Sequence, residues 1–190
     1  MARRSRYKRK GRKTRRRQRG GADPNNASPD VLADTGAVYA TNMGIDFNVK
    51  FQPNSSLSGA IFGNVLTKTE SRPKPYTTWA QPPAGTNYLF LCWDPDVMPA
   101  DESGKTPPNT GYLHWLVVNC TGTAPASGKE LVAWSPPNPP SGKHRYIFGL
   151  FQQKDVLNLP APTRENFQIA TFTQSNNLTP LLYKGIRVKA

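Results

Sequence analysis

Short runs of β-branched and aromatic residues, separated by loops rich in proline, glycine and asparagine, restrict the folds open to this chain. No stretch with helical periodicity exceeds about ten residues, whereas the apolar runs have the length and composition of strands. The 190 residues include 19 prolines and 15 glycines, which indicates many turns. We predict strands at Ala37–Met43, Phe47–Phe51, Asn87–Trp93, His114–Cys120, Glu130–Trp134, Arg145–Gln152, Phe167–Thr173 and Leu182–Val188.

Two of these runs, YLFLCW at 88–93 and HWLVVNC at 114–120, are almost continuously hydrophobic. Strands of this kind are usually covered on both faces, so we expect them at the centre of a sheet. Long Pro/Gly/Asn loops are predicted between the strands, at 70–86, 94–112, 121–129 and 135–144. The sequence therefore predicts a mainly β fold, a two-sheet antiparallel β-sandwich with few short helices.

The positive charge of the chain is concentrated at one end. Residues 1–19 contain no acid and twelve of the 25 basic residues, so the rest of the chain, with thirteen basic and twelve acidic residues, is close to neutral. Like charges without apolar surface do not fold alone, and residues 20–31 have the composition of a flexible linker. We expect a disordered arm and linker at 1–31 and one folded domain at 32–190. The basic residues are Arg3, Arg4, Arg6, Lys8, Arg9, Lys10, Arg12, Lys13, Arg15, Arg16, Arg17 and Arg19.

This basic arm favours binding to nucleic acid. Twelve charges exceed what an import signal of about 5–8 residues needs, and guanidinium groups bind phosphate in bidentate fashion. An arm of this kind contacts the sugar-phosphate backbone of the nucleic acid without recognising individual bases, so the predicted binding is non-specific and sensitive to salt. We expect a nuclear or nucleic-acid-associated protein, with a virion as one setting. The alternative is a localisation signal or a solubilising tail.

Several other classes of protein are disfavoured. No apolar run reaches the roughly 18 residues of a membrane span, and no hydrophobic segment follows the basic start as in a secretory signal, so we expect an intracellular protein without a membrane span. Cys92 and Cys120 are too few for a disulfide framework and lie in or at the end of apolar runs, so we expect them to be buried and reduced. No metal-ligand spacing is present, and we expect no metal or cofactor.

Polar residues of the kinds that bind ligands cluster where predicted strands begin or end. Asp94 directly follows a central strand, and each of the two histidines, His114 and His144, stands close to an aromatic residue at the start of a strand. If these strand ends meet, two imidazoles, the hydroxyl of Tyr146 and loop N–H groups can converge on a small anion. The proline-rich segment at 135–142 would hold the walls of such a pocket stiff.

Several segments resemble the phosphatidylethanolamine-binding protein family, which includes the Raf kinase inhibitor proteins and the plant flowering regulators. They are DPDVMP at 94–99, YLHWLVVN at 112–119, PPNPPSGKHRYIFGLFQQ at 136–153 and FQIATFTQSNNLTPLL at 167–182. The resemblance covers roughly residues 35–185. The family usually has DPDAP at the first segment, and Val97-Met98 here occupies one extra position, so this loop is expected to have its own shape.

The resemblance implies a β-sandwich with a small pocket for phosphate-like groups, such as a phospholipid head group, and a non-enzymatic role. By matching positions, the pocket residues are Asp94, Pro99, His114, Pro140, His144 and Tyr146. No Ser or Cys lies in a nucleophile-elbow context, so we predict no catalytic residue. Our main hypothesis is a phosphate-binding domain tethered to nucleic acid by its arm. The alternatives are a regulator that binds a kinase or transcription factor at the pocket face, with the arm as an import signal, and a structural or genome-packaging protein with a vestigial pocket.

Overall fold

A computed structural model describes residues 47–51, 65–97 and 110–190. The basic arm, its linker, the predicted strand at Ala37–Met43 and Pro99 lie outside the described residues. The elements within the described ranges are β1 (Phe47–Lys50), β2 (Val65–Thr67), α1 (Lys68–Ser71), β3 (Tyr76–Trp79), β4 (Asn87–Asp94), β5 (Thr110–Cys120), a 3₁₀ turn (Pro125–Ser127), β6 (Lys129–Val132), β7 (Lys143–Gln153), β8 (Phe167–Gln168), α2 (Ile169–Ser175) and β9 (Leu178–Lys189).

One large sheet organises the described part of the chain. Its strands follow the order β2-β9-β7-β4-β5-β6, and the short β8 pairs with β5 outside this path. All pairs in it are antiparallel except β2 with β9, which is parallel. A second sheet consists of β1 and β3. The predicted mainly β fold with few short helices is confirmed, although the large sheet is mixed and not purely antiparallel.

The central strands are covered on both faces, as their continuous hydrophobicity predicts. In β4, Leu89 and Leu91 belong to one buried cluster, and Phe90 and Cys92 belong to another, because alternate side chains point to opposite faces. The β1–β3 sheet covers the Phe90 face and brings Trp79 into a stacked contact with Phe90 at 5.8 Å between ring centroids. Residues from β8, α2 and the start of β9 cover the other face.

The two cysteines are buried, and neither forms a disulfide. Burial raises the pKa of the Cys92 thiol well above its usual value. Burial also raises the pKa of Cys120, to about 12. Since only a thiolate is a good nucleophile, both thiols are unreactive near neutral pH. The prediction of buried, reduced cysteines is confirmed.

The predicted strand at Phe167–Thr173 is wrong over most of its length, because β8 stops at Gln168 and α2 follows. The physical reason is the spacing of Ile169 and Phe172. Residues three positions apart share one face of a helix, and both pack against the same core cluster. The helix is followed by Asn177 with φ of 50°, a left-handed conformation that asparagine tolerates better than most residues.

Two strands, β2 and β3, lie where no strand is predicted. β3 lies inside the predicted loop 70–86, and β2 has only three residues. β2 leads directly into α1, which begins with a capping box. The Thr67 side chain accepts a hydrogen bond from the Glu70 backbone N–H, and the Glu70 carboxylate accepts one from the Thr67 N–H at 2.7 Å. This local signal marks the end of β2.

Candidate functional site

The site lies at the end of the large sheet where β4 stops and its two neighbours, β5 and β7, begin. Asp94 closes β4 and is in register with Tyr112 of β5, while Trp93 is in register with Ile147 of β7. Because both neighbours run antiparallel to β4, their N-terminal residues lie beside its C-terminal residue. The expectation that the three polar segments meet at one end of the sheet therefore holds.

These strand ends surround a cavity of about 320 Å³. Five of the six pocket residues that the resemblance implies line it, and the sixth, Pro99, lies outside the described residues. Their role in ligand binding stays a prediction. The full lining consists of Asp94, Val97, Tyr112, His114, Ser135, Pro136, Asn138, Pro139, Pro140, His144 and Tyr146.

A buried carboxylate, that of Asp94, pairs with the half-buried imidazole of His144. The Nδ1 atom of His144 lies 2.9 Å from Oδ2 of Asp94, and Asp94 is only 1% exposed. The other carboxylate oxygen accepts a hydrogen bond from the Asp96 backbone N–H at 2.7 Å. Burial raises the pKa of Asp94, and the hydrogen bonds from His144 and Asp96 oppose that rise. Since a carboxylate only accepts, Nδ1 of His144 carries the proton and its Nε2 is left for the cavity.

His114 is held in one tautomer by Ser135. Its Nδ1 lies 2.7 Å from the Ser135 carbonyl oxygen, which can only accept, so Nδ1 donates. The Ser135 N–H in turn donates to the His114 carbonyl at 2.8 Å. Burial lowers the pKa of His114 to about 4, with smaller contributions from the charges of Arg164 and His144. Near neutral pH, its Nε2 therefore accepts hydrogen bonds and does not donate them.

This tautomer corrects one part of our expectation from the sequence. Two imidazole N–H groups were expected to converge on an anion, but the only proton of neutral His114 is used by the Ser135 carbonyl. His144 can donate from Nε2 when it carries both protons, and His114 can accept from a ligand hydroxyl. The pair of imidazoles thus matches a ligand that offers both an anionic oxygen and an O–H group.

Aromatic rings complete the wall around His114. Its ring centroid lies 4.8 Å from that of Tyr112 and 5.0 Å from that of Tyr146. Burial, and after it the neighbouring Asp94 carboxylate, raise the pKa of Tyr146 far above its usual value. Tyr146 therefore keeps its phenolic proton throughout the physiological range, beside the Asp94 carboxylate.

The sequence reasoning did not find the residues that hold the walls in place. Asp96 binds Arg145 through the backbone N–H at 2.7 Å and through the guanidinium, with Nη2 at 2.7 Å, which fastens the loop after β4 to β7. Arg164 donates to the carbonyl oxygens of Leu113, His114 and Ala133 at 3.0, 3.1 and 2.7 Å. The Asp-Pro-Asp spacing was the available signal for the first contact, whereas nothing near Arg164 in the sequence indicates the second.

A second cavity of about 380 Å³ lies between β3 and the β5–β6 connection. Its wall contains a Lys74–Glu130 ion pair. The Lys74 ammonium also lies 4.6 Å from the centroid of the Trp115 ring, and the Trp115 indole N–H donates to Glu130 at 2.7 Å. The Lys74, Trp115 and Glu130 side chains in this wall are thus paired with one another, whereas the buried Thr77 hydroxyl has no hydrogen-bond partner among the described residues. The histidine-lined cavity, although smaller, has the richer chemistry.

Within 47–51, 65–97 and 110–190, no group of three or more His, Cys, Asp or Glu side chains is placed to hold a metal ion. No helix in the same ranges is long and apolar enough to cross a membrane.

Comparisons with known proteins agree with the fold. The sequence model of the family described as phosphatidylethanolamine-binding protein matches residues 48–185. Protein CENTRORADIALIS of Antirrhinum majus is 31% identical over 140 residues, which are 70% of this chain and 75% of that protein. The Arabidopsis thaliana protein BROTHER of FT and TFL 1 is 30% identical over 146 residues, 75% of this chain and 77% of its own.

Among solved structures, a phosphatidylethanolamine-binding protein from Plasmodium vivax superposes with a TM-score of 0.59 at 19% identity. The superposition covers 76% of this chain and 85% of that chain, and it shows a shared fold. The family match includes the cavity residues from Asp94 to Tyr146, and the basic arm at residues 1–19 lies outside it.

Proposed function

Because the chain belongs to the phosphatidylethanolamine-binding protein family, we propose that it is a non-enzymatic regulator that binds a protein partner at the cavity face. In this proposal the cavity holds a phosphate-type anion, carried by the partner or bound beside it. The observation that carries the proposal is the pairing of buried Asp94 with His144 at 2.9 Å, in the same cavity as His114.

A phosphate monoester with one proton suits the hydrogen-bonding groups of the cavity. Doubly protonated His144 donates to an anionic oxygen from Nε2, and the Asp94 carboxylate balances its charge. Nε2 of His114 accepts from the P–OH group, since its other nitrogen donates to Ser135. A fully deprotonated phosphate would place an anionic oxygen against a lone pair of His114. A monoanion is therefore preferred over a dianion.

The rim of the cavity offers a stiff surface to a protein partner. Pro136, Asn138 and Pro140 are exposed around the mouth, and Val97 is a partly exposed apolar residue beside them. Prolines restrict the backbone of the loop before binding, which lowers the entropic cost of forming an interface. The likeness to plant flowering regulators supports a regulatory role with a kinase or transcription factor as the partner class.

The charge of the arm supports a second candidate function, a tether to nucleic acid. Twelve basic residues lie in residues 1–19, and this segment is outside the family match. Binding of random-sequence duplex DNA to the full chain, compared with a chain lacking residues 1–19 across a salt series, tests it. A steep salt dependence that disappears with the arm supports a tether, and weak binding by the full chain at physiological salt leaves the arm as an import signal.

The cavity is tested by titrating inorganic phosphate and phosphoethanolamine into the full chain while following the imidazole NMR signals. The chain has two histidines, so each signal can be assigned by one substitution. We expect both signals to shift in the wild-type chain and the affinity to fall at least tenfold in His144→Ala. His144→Asn keeps an N–H for Asp94, so it tests the loss of the imidazole in a chain that still folds. Gln152→Ala, at an exposed position of the same strand, is the matched control.

The partner class is tested with an array of phosphoserine peptides and their unphosphorylated counterparts. Phosphate-dependent binding that is lost in His144→Asn and retained in Gln152→Ala supports a regulator that uses the cavity. If neither small phosphates nor phosphopeptides bind the folded wild-type chain, the proposed function is wrong and a vestigial pocket is the better interpretation.

A further inference from the structure

The second cavity, between β3 and the β5–β6 connection, has a buried floor and an exposed rim. Thr77 of β3 and Trp115 and Val117 of β5 line its floor, and each of the three is at most 2% exposed. Tyr76 and Ala126 lie at the rim and are exposed to solvent. None of the described residues lines both this cavity and the histidine-lined one, so a ligand here would occupy a separate site.

Hydrogen bonds between its walls hold this cavity open without a ligand. The Trp79 backbone N–H donates to the Thr123 carbonyl at 2.9 Å, and the Trp79 indole N–H donates to the Gly122 carbonyl at 2.8 Å. These two bonds fasten β3 to the β5–β6 connection. Within that connection, the Gly128 N–H donates to the carbonyl of buried Pro125 at 3.0 Å. A preformed wall lowers the entropic cost of binding.

The hydroxyl of Thr77 points to a ligand in this cavity. Its oxygen is buried and has no hydrogen-bond partner among the described residues. Alternation along β3 places Thr77 on the same side as Trp79, whose ring packs between the two sheets, so the Thr77 side chain points toward the floor. Burying a hydroxyl without a hydrogen bond destabilises a protein, and such groups are rare in native structures. A ligand that pairs with this hydroxyl would remove that cost.

The rest of the lining favours an uncharged ligand. Lys74 and Glu130 form an ion pair, and the Trp115 indole N–H also donates to Glu130 at 2.7 Å. Because both charges already have partners, a charged ligand would find no free opposite charge in these side chains. The Trp115 ring offers an aromatic surface beside them. The remaining apolar lining consists of Pro75, Val117, Ala124, Pro125 and Ala126.

We propose that this cavity binds a free phenolic compound, with its aromatic body against Trp115 and Val117 and its hydroxyl hydrogen-bonded to Thr77. A phenol is uncharged near neutral pH, since its pKa is about 10. Its O–H group can donate to or accept from the Thr77 hydroxyl. The volume of about 380 Å³ is in the range of small-molecule pockets. This site is independent of the proposed phosphate site and of any protein partner at that face.

The first test compares Thr77→Val with Thr78→Val in urea unfolding without a ligand. Valine has nearly the shape of threonine and lacks the hydroxyl. Thr78 is the matched control, because it is the next residue of β3, points to the opposite face and does not line the cavity. Thr77→Val should unfold at the same urea concentration as the wild type or at a higher one, since the hydroxyl that it removes has no partner. A loss of stability beyond that of Thr78→Val would show a partner in the free protein and overturn the proposal.

The second test titrates p-cresol and toluene, which lacks the hydroxyl, into the full chain while following the methyl NMR signals of Val117. The ratio of the two dissociation constants isolates the hydrogen bond, because the rest of the two compounds is the same. We expect the preference for p-cresol over toluene to fall roughly fivefold in Thr77→Val, as for the loss of one neutral hydrogen bond. Thr78→Val should keep the preference of the wild type.

The remaining outcomes would each overturn the proposal. One is the absence of p-cresol binding to the folded wild-type chain at millimolar concentrations, and another is an unchanged preference in Thr77→Val. N-acetyl-tyrosinamide carries the same phenol on a peptide unit, and tighter binding of this compound than of p-cresol would assign the cavity to a tyrosine of a protein partner. His144→Asn should leave p-cresol binding intact, so failure of the phosphate site does not affect this proposal. Loss of p-cresol binding in His144→Asn would place the compound in the other cavity.

Discussion

Replacing His114 with asparagine removes a buried titrating group while keeping a side-chain N–H for the Ser135 carbonyl. In the folded chain, burial lowers the pKa of His114 from its ordinary value of 6.5 to about 4. The native state therefore resists protonation, whereas the unfolded chain protonates as soon as the pH falls below about 6.5. The stabilisation that this difference provides is complete above the unfolded pKa and is lost as the pH falls toward 4.

The size of the effect follows from the two pKa values. A shift from about 6.5 to about 4 corresponds to roughly 3 kcal/mol once both states are fully protonated. Between about pH 7 and about pH 4.5, where most carboxylates are still ionised, the expected loss is about 2 kcal/mol. Asp94 contributes with the opposite sign. Its pKa is raised in the folded chain, so its contribution to the free energy of unfolding is favourable at low pH and is lost as the pH rises through that raised pKa.

Urea unfolding of the wild type and His114→Asn at several pH values isolates the histidine, because all other titrating groups are shared. The difference in unfolding free energy between the two proteins should decrease by about 2 kcal/mol from pH 7 to pH 4.5. An NMR titration of the His114 imidazole gives its pKa directly. A difference that stays constant with pH, together with an imidazole that titrates near 6.5, would refute the assignment of His114 as a buried neutral acceptor.

Three further substitutions test the packing that positions the site, each by urea unfolding. Phe90→Ala removes a fully buried ring and should cost about 3–5 kcal/mol, whereas Tyr76→Ala, at a ring 68% exposed, should cost well under 1. Gly128→Ala places a methyl group 2.5 Å from a β5 backbone oxygen and should lower the free energy of unfolding by about 1–3 kcal/mol. Gly142→Ala should lower it by roughly 1 kcal/mol, because only the positive φ of 62° opposes the change. Arg164→Ala removes the guanidinium donor from three carbonyl oxygens, of which that of His114 still accepts from the Ser135 N–H, and should lower the free energy of unfolding by about 2 kcal/mol. Arg164→Lys should not restore it, since a single ammonium cannot span the three oxygens. Equal effects within either of the first two pairs, or full recovery in Arg164→Lys, would contradict the packing described.

The parts of the fold that the sequence predicts are those decided by local composition. The uninterrupted apolar run of β4 predicts a strand buried on both faces, because no polar residue is available for a solvent-facing side. The convergence of Asp94, His114 and His144 follows once those runs are adjacent antiparallel strands. Two histidines in 190 residues, each at a strand start, were a strong local indication of the site.

The parts that the sequence did not predict depend on contacts between distant segments. α2 forms because Ile169 and Phe172 both find the core at helical spacing, although the same residues fit a strand pattern. The tautomer of His114 is set by a carbonyl 21 residues further along the chain.

Strand β7 positions the cavity residues through the alternation of its side chains. Lys143 and Arg145 face one side and His144 and Tyr146 face the other, so the register of this strand fixes the position of both sets at once. A shift of one residue would turn the cations toward the cavity and the imidazole toward solvent, which the apolar residues from Ile147 to Phe151 prevent by packing on both faces. A substitution of the exposed Lys143 should therefore leave binding in the cavity unchanged, whereas substitutions in the buried half of β7 should weaken it.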